Sequence, residues 1–108
     1  MMRHAMRYSQ SVRVVPCRAT AGDTGGIALA EQPGQSYLIA AAVRPDRKSE
    51  RRERGSLRPR ERRLLLPLGR PPIRQGDHLY FAGDARRWRC MQRRDFPAHL
   101  EIEAEVEG

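Results

Sequence analysis

The chain has 108 residues, of which 39% are hydrophobic and 31% are charged, so it has room for one domain with a modest core, and we expect no second independent domain. Its formal net charge of +8 and sequence pI of about 10.9 favour an acidic partner such as nucleic acid or an acidic protein face. No run approaches the roughly eighteen apolar residues that span a bilayer, and the amino-terminal residues lack the apolar core of a secretory signal. We therefore expect a protein made and kept in a cytoplasm, without a membrane partner.

Strand-like alternation runs through the first two-thirds of the chain. It predicts a first strand at Ser11–Arg18, a flexible loop at Gly22–Gly26 and a short strand at Ile27–Glu31. Ser36–Val43 and Arg63–Leu68 are expected to pair as the two arms of a long hairpin.

The tip of this hairpin, residues 44–63, is strongly basic, with ten basic and four acidic side chains. We expect an extended loop, with any helix confined to Asp46–Arg54. Guanidinium groups match phosphate geometry and release counterions on binding, whereas the interspersed acids repel phosphate. Three interpretations stay open: contact with DNA or RNA, contact with an acidic protein surface, or a solvated loop. The candidate contact residues are Arg44, Arg47, Lys48, Arg51, Arg52, Arg54, Arg58, Arg60, Arg62 and Arg63.

The last third of the chain predicts a three-stranded meander. Two strands, His78–Ala82 and Arg87–Gln92, are expected to form a hairpin. Gly83 is expected to be the first central residue of its tight turn, where a positive φ is needed. Residues 99–107 alternate strictly between polar and apolar, which is typical of a strand with one buried face. The fold class is thus mostly β, a small antiparallel barrel or sandwich with a long Arg-rich insertion. The expected core residues are Trp88, Phe81, Leu79, Leu100, Ile102 and Val106.

Little in the sequence supports catalysis or metal binding. The three histidines, His4, His78 and His99, lack the spacing to the cysteines that a zinc site requires. Cys17 and Cys90 lie in alternating apolar stretches and are predicted to be buried thiols. No nucleophile elbow, orienting acid or phosphate-binding Gly-rich loop is present. We expect a non-enzymatic protein with no cofactor, no metal and no small-molecule substrate.

The aromatic residues leave one further alternative. Proteins that bind single-stranded nucleic acid stack bases on exposed aromatic side chains of OB-type barrels, and Tyr80, Trp88 and Arg89 are the candidates for such a surface. The ordinary interpretation is that the lone tryptophan of a small meander anchors its core.

The segment from Ile73 to Glu101 resembles the ending of the head–tail joining proteins of tailed bacteriophages, also called head-closure or neck proteins. The pattern is Gly76-Asp77, an apolar strand, a turn at Gly83, an aromatic strand with Trp88, a short link and a final apolar strand. It covers about a third of the chain, and a three-strand meander with tight turns produces a similar pattern.

This resemblance implies a β-barrel protomer in a homo-oligomeric ring of the virion, between the portal or adaptor and the tail proteins. Residues 44–63 would then be the extended loop that reaches a neighbouring ring or the packaged DNA. The family has no catalytic residues to transfer. The alternatives are a nucleic-acid-binding OB- or SH3-like module, and another virion role such as a tail terminator, tail-tube, minor capsid or decoration protein.

Overall fold

A computed structural model of the chain describes residues 10–21, 27–46 and 60–107. In these residues the regular structure is strands and one short 3-10 turn, with no α-helix. The strands are β1 (Gln10–Val15), β2 (Cys17–Ala21), β3 (Ile27–Glu31), β4 (Tyr37–Pro45), β5 (Arg62–Pro67), β6 (His78–Phe81), β7 (Trp88–Asp95) and β8 (Leu100–Val106). The prediction of a mostly β protein is confirmed. The predicted Gly22–Gly26 loop and most of the possible helix at 46–54 lie outside the described residues.

Six of the described strands close into one antiparallel barrel in the order β1-β4-β5-β8-β7-β6. Two meanders, β1-β4-β5 and β6-β7-β8, meet where β1 pairs with β6 and where β5 pairs with β8. Both the predicted β4–β5 pairing and the predicted C-terminal meander are confirmed. Because closure pairs every barrel strand on both sides, this barrel presents faces and ends to its surroundings and no free strand edge.

The predicted first strand, Ser11–Arg18, is wrong in extent because Pro16 divides it. Pro16 has no N–H to donate to a ladder, and the chain leaves the barrel there to form a separate two-stranded hairpin of β2 and β3. The Pro16 carbonyl accepts a hydrogen bond from the Gln32 N–H at 2.8 Å, which closes the base of this hairpin. Ile27–Glu31 is a strand with the predicted bounds.

The connection from β6 to β7 is also longer than predicted. A turn closes where the Asp84 N–H donates to the Phe81 carbonyl at 3.1 Å, so Gly83 is its second central residue, not its first. Gly83 does have the positive φ, 79°, that the glycine was expected to supply. Asp84 then accepts from the Arg86 N–H at 2.9 Å, and β7 begins only at Trp88.

Inward-facing side chains from all six barrel strands fill the barrel. Trp88, Phe81, Leu79, Leu100 and Ile102 are buried in its core, and Val106 is partly buried and packs against it. The Phe81 and Trp88 rings meet edge to face with their centroids 5.3 Å apart, an arrangement that aromatic pairs favour. Cys17 and Cys90 are buried free thiols, as predicted, and burial raises the pKa of Cys90 to about 12.

The segment between β5 and β6 is held against β7 by hydrogen bonds to its backbone. Arg93 donates to the carbonyls of Pro71 and Ile73 at 2.7 and 3.0 Å, and the Ile73 side chain is buried in the core. Gly76, at φ 95°, turns the chain into β6, and the Gly76 N–H donates to the Cys90 carbonyl at 2.8 Å. These hydrogen bonds fix the position of the segment between β5 and β6, although it belongs to no strand.

Candidate interaction surfaces

The outer side of β4 and β5 is apolar, although it does not face the core. Leu38, Ala40 and Ala42 alternate along β4 with inward-facing Ile39 and Ala41, and the pairing sets Ala42 beside Leu66. Leu38 is 70% exposed. We call this surface the outer apolar face; its members are Leu38, Ala40, Ala42, Leu64, Leu66 and Leu68.

A solvated antiparallel strand normally alternates apolar and polar residues, whereas a strand covered on both sides is apolar throughout. The outer apolar face departs from that alternation, and it is therefore a candidate interaction surface. This face was not among the surfaces predicted from the sequence. The signal was present in Leu64-Leu65-Leu66, where three consecutive leucines must point to both sides of a strand.

Beside the outer apolar face, β8 carries a ladder of ion pairs. Arg62 on β5 lies 2.8 Å from the Glu105 carboxylate and 3.6 Å from Glu103. Arg94 on β7 reaches Glu103 at 3.1 Å and Glu101 at 3.6 Å. Glu105 is buried, although the alternation places it on the polar side of β8.

One end of the barrel, where β4 ends and β5 begins, carries the base of the basic segment. The Asp46 N–H donates to the Arg62 carbonyl at 3.0 Å and closes this end. Residues 47–59 start and return there with six basic and two acidic side chains in their sequence, and Arg44 and Arg60 are exposed beside them. We call this the basic end.

Two of the ten predicted contact residues at the basic end contact other side chains of the same chain. The Arg63 guanidinium lies over the ring of Trp88 at 4.3 Å and over that of Phe81 at 4.8 Å, and it contacts Asp84 at 3.6 Å. Arg62 belongs to the β8 ladder. Strand pairing thus directs both guanidinium groups to neighbours in the barrel, and contact of Arg62 and Arg63 with a partner stays a prediction.

The remaining predicted contacts divide between the described and undescribed parts of the chain. Arg44 lies within β4, one residue before its end, and Arg60 lies just before β5, so the strands extend into the predicted 44–63 loop at both ends. The other predicted contact residues, Arg47, Lys48, Arg51, Arg52, Arg54 and Arg58, lie outside the described residues.

Arg86 and Asp84 cover the core at the basic end of the barrel. Arg86 donates to Asp84 at 3.0 Å and to Glu61 at 2.9 Å, and its guanidinium lies 5.2 Å from the Trp88 ring centre. The hydrogen bonds from Arg86 hold the pKa of Asp84 well below its usual range. Asp84 also accepts from the Trp88 indole N–H at 3.3 Å, so the buried ring has its one polar atom satisfied.

The three residues considered for base stacking do not form an exposed platform. Trp88 is fully buried. The Tyr80 hydroxyl donates to the Glu31 carboxylate while Arg13 lies 4.5 Å over its ring. Arg89 is directed toward Glu107 at 3.6 Å.

Within residues 10–21, 27–46 and 60–107, no group of three or more His, Cys, Asp or Glu side chains is arranged to hold a metal ion. In the same part of the chain no helix is long and apolar enough to cross a membrane. No protein-family model matches the chain, and no curated protein is significantly similar to it.

Proposed function

We propose that this chain is a structural virion protein of a tailed phage, one protomer of a ring in the head–tail connector between portal and tail. The observation that carries the proposal is the outer apolar face on a barrel with no free strand edge. The closed barrel itself offers no edge to which strands could be added, and the outer apolar face offers a surface through which copies can pack. A head-to-tail contact between this face and a different face of the next copy generates a ring when the rotation between successive copies closes.

The resemblance to head–tail joining proteins agrees with this role. Its residues, from Ile73 to Glu101, build most of the β6-β7-β8 meander, and Gly76 and Asp77 form the turn that starts it. The basic end provides a second candidate contact surface, which is cationic and not apolar. Its cationic segment suits packaged DNA or an acidic surface of a neighbouring ring.

The contact between copies can be tested with two single substitutions at leucines of similar exposure. Leu38→Glu places a charge on the outer apolar face, whereas Leu29→Glu places one on the β2–β3 hairpin, where Leu29 is 62% exposed. Native mass spectrometry and negative-stain images should show rings for the unmodified chain and for Leu29→Glu, and monomers for Leu38→Glu. A chain that stays monomeric at high concentration and with its neighbouring proteins, or equal loss of rings in both variants, would contradict the proposal.

The segment 47–63 can be tested separately by limited trypsin digestion. We expect the free protomer to be cut first in this segment, because its run of Arg and Lys residues supplies many trypsin sites. The cuts should slow once the ring or its acidic partner is present, because a bound partner shields these side chains from the protease. Cleavage that starts elsewhere in the free protomer would count against this assignment.

The basic end also favours a second candidate function, a barrel that binds nucleic acid as a monomer. A salt titration separates the two. Micromolar binding to DNA by the isolated monomer, with an affinity that falls steeply as salt rises, would support this second function. Binding only by the assembled ring would support the first.

A further inference from the structure

The β2–β3 hairpin lies outside the barrel, and a polar cluster around His78 ties it to the barrel wall. Glu31 at the end of β3 lies 2.6 Å from His78 Nδ1 and accepts a hydrogen bond from the Tyr80 hydroxyl. On the other side of the same ring, Glu107, just after β8, lies 3.2 Å from His78 Nε2. One imidazole therefore joins three segments: the hairpin, β6 and the carboxyl end of β8.

Both neighbours of the ring are carboxylates, and the charge of the ring decides whether it can satisfy them. An imidazolium donates from both nitrogens, whereas a neutral imidazole donates from one and presents a lone pair at the other. An ionised carboxylate only accepts. The charged ring can therefore bind Glu31 and Glu107 together, and the neutral ring faces one of them with a lone pair.

The other partners of Glu31 and Glu107 decide which of them stays bound to the neutral ring. Glu107 also has Arg87 Nε at 3.0 Å and Arg89 Nε at 3.6 Å, and these cations do not depend on the charge of His78. Glu31 has the shorter contact to the ring, 2.6 Å, and accepts otherwise from the Tyr80 hydroxyl. The remaining proton is thus best placed on Nδ1. The titratable and charged groups around His78 are Glu31 of β3, Tyr80 of β6, Cys17 of β2, Asp77 before β6, Arg87 just before β7, Arg89 of β7 and Glu107 after β8.

We propose that His78 is a proton-dependent clasp between the β2–β3 hairpin and the carboxyl end of β8. The imidazolium holds Glu31 and Glu107 together; the neutral ring keeps Glu31 and releases Glu107. Release frees one wall of the cleft of about 480 Å³ that these residues line. The clasp concerns a different part of the molecule from the outer apolar face and does not depend on ring assembly.

Glu31 suits the permanent half of the clasp. Hydrogen bonds from Tyr80 and then from His78 keep its pKa below the ordinary value, so it remains an acceptor over the range in which histidines titrate, from about pH 5 to about pH 8.

Two NMR measurements on the full chain test the clasp. Imidazole ¹⁵N shifts should show His78 protonated at both nitrogens at low pH and at Nδ1 alone at high pH. The Glu107 N–H, which donates to the Arg87 carbonyl at 2.7 Å, should lose about fivefold of its exchange protection over the same range, after correction for intrinsic rates, as expected for one lost hydrogen bond. A neutral ring protonated at Nε2, or unchanged protection at Glu107, would overturn the proposal.

Two variants separate the clasp from a general effect of pH. His78→Gln has one donor and one acceptor side and never becomes charged, so its Glu107 protection should not respond to pH. His99→Gln is the matched control, because His99 also contacts a glutamate, Glu101 at 3.1 Å, but lies at the β7–β8 turn; it should retain the full response. A response that persists in His78→Gln, or one that disappears in His99→Gln, would refute the assignment. If His78→Gln does not fold, the ¹⁵N shifts of the native chain still decide.

Discussion

Replacing Asp77 with alanine should destabilise the barrel far more than its single small side chain suggests. Asp77 is 1% exposed. One carboxylate oxygen accepts from the Cys17 N–H at 3.1 Å and the other from the Arg74 N–H at 2.9 Å. Alanine leaves both N–H groups without these acceptors at the point where the hairpin and the β5–β6 segment meet the barrel.

The size of the loss follows from those two donors. An unsatisfied buried polar group costs about 1–3 kcal/mol, and the Arg74 donor is only partly buried, so we expect a total of about 3 kcal/mol. For a domain of this size that lowers Tm by at least about 10 °C. Asp77→Asn should lose about half as much stability, because the amide oxygen still accepts from one backbone N–H. The amide NH₂ then faces the other backbone N–H and cannot accept from it.

The assay is urea unfolding followed by far-UV circular dichroism and by fluorescence of the lone Trp88. Asp95→Ala is the matched control. Asp95 also makes two contacts, with Arg70 at 3.1 Å and Arg93 at 2.9 Å, but it lies on the surface, where ion pairs contribute little. Asp77→Ala and Asp95→Ala with the same unfolding midpoint would refute the reasoning that the buried carboxylate organises this junction.

Three further predictions concern the core, the hairpin and the turns. Trp88→Ala should cost about 3–5 kcal/mol, as expected for a buried aromatic residue, and Phe96→Ala about 1 kcal/mol or less; urea unfolding compares them, and equal losses would contradict the core assignment. The pKa of Glu31 is lowered in the folded state, so ionised Glu31 stabilises the fold at pH values above its ordinary pKa. This stabilisation is lost as pH falls through the pKa of the folded state. Glu31→Gln should therefore lose less stability than the native chain between about pH 5 and about pH 3, and parallel pH profiles would refute this. Gly76→Ala should be more destabilising than Gly83→Ala, since both have positive φ but only at Gly76 does a Cβ meet a side chain, at 3.3 Å; thermal unfolding decides, and the reverse order would contradict the close packing at Gly76.

Local pattern was sufficient for the strands of the carboxyl-terminal third. In β8, Leu100, Ile102 and Ala104 alternate with acids, and a two-residue period is compatible with a strand and not with a helix. The order β6-β7-β8 followed from short connections, because consecutive strands joined by short links usually pair. The β4–β5 hairpin followed from two apolar runs that flank a basic segment.

Burial of single polar residues could not be deduced in this way. Arg63 belongs to a basic run in the sequence, but closure of the barrel brings the Trp88 ring beneath its guanidinium. Glu105 has the same alternation as its neighbours, and only the Arg62 side chain of the adjacent strand accounts for its burial. These environments depend on residues more than twenty positions away, so no local window contains them.

The sequence by itself determined the β class, the main strands and the position of the basic segment, because these depend on side-chain period and on charge along the chain. The tertiary structure decided that the strands close into a barrel, that Pro16 sends a separate hairpin outside it, and that an apolar surface remains on the outer side of β4 and β5. Closure and pairing order arise from contacts between distant segments. They therefore set which face of each strand meets the core and which faces outward.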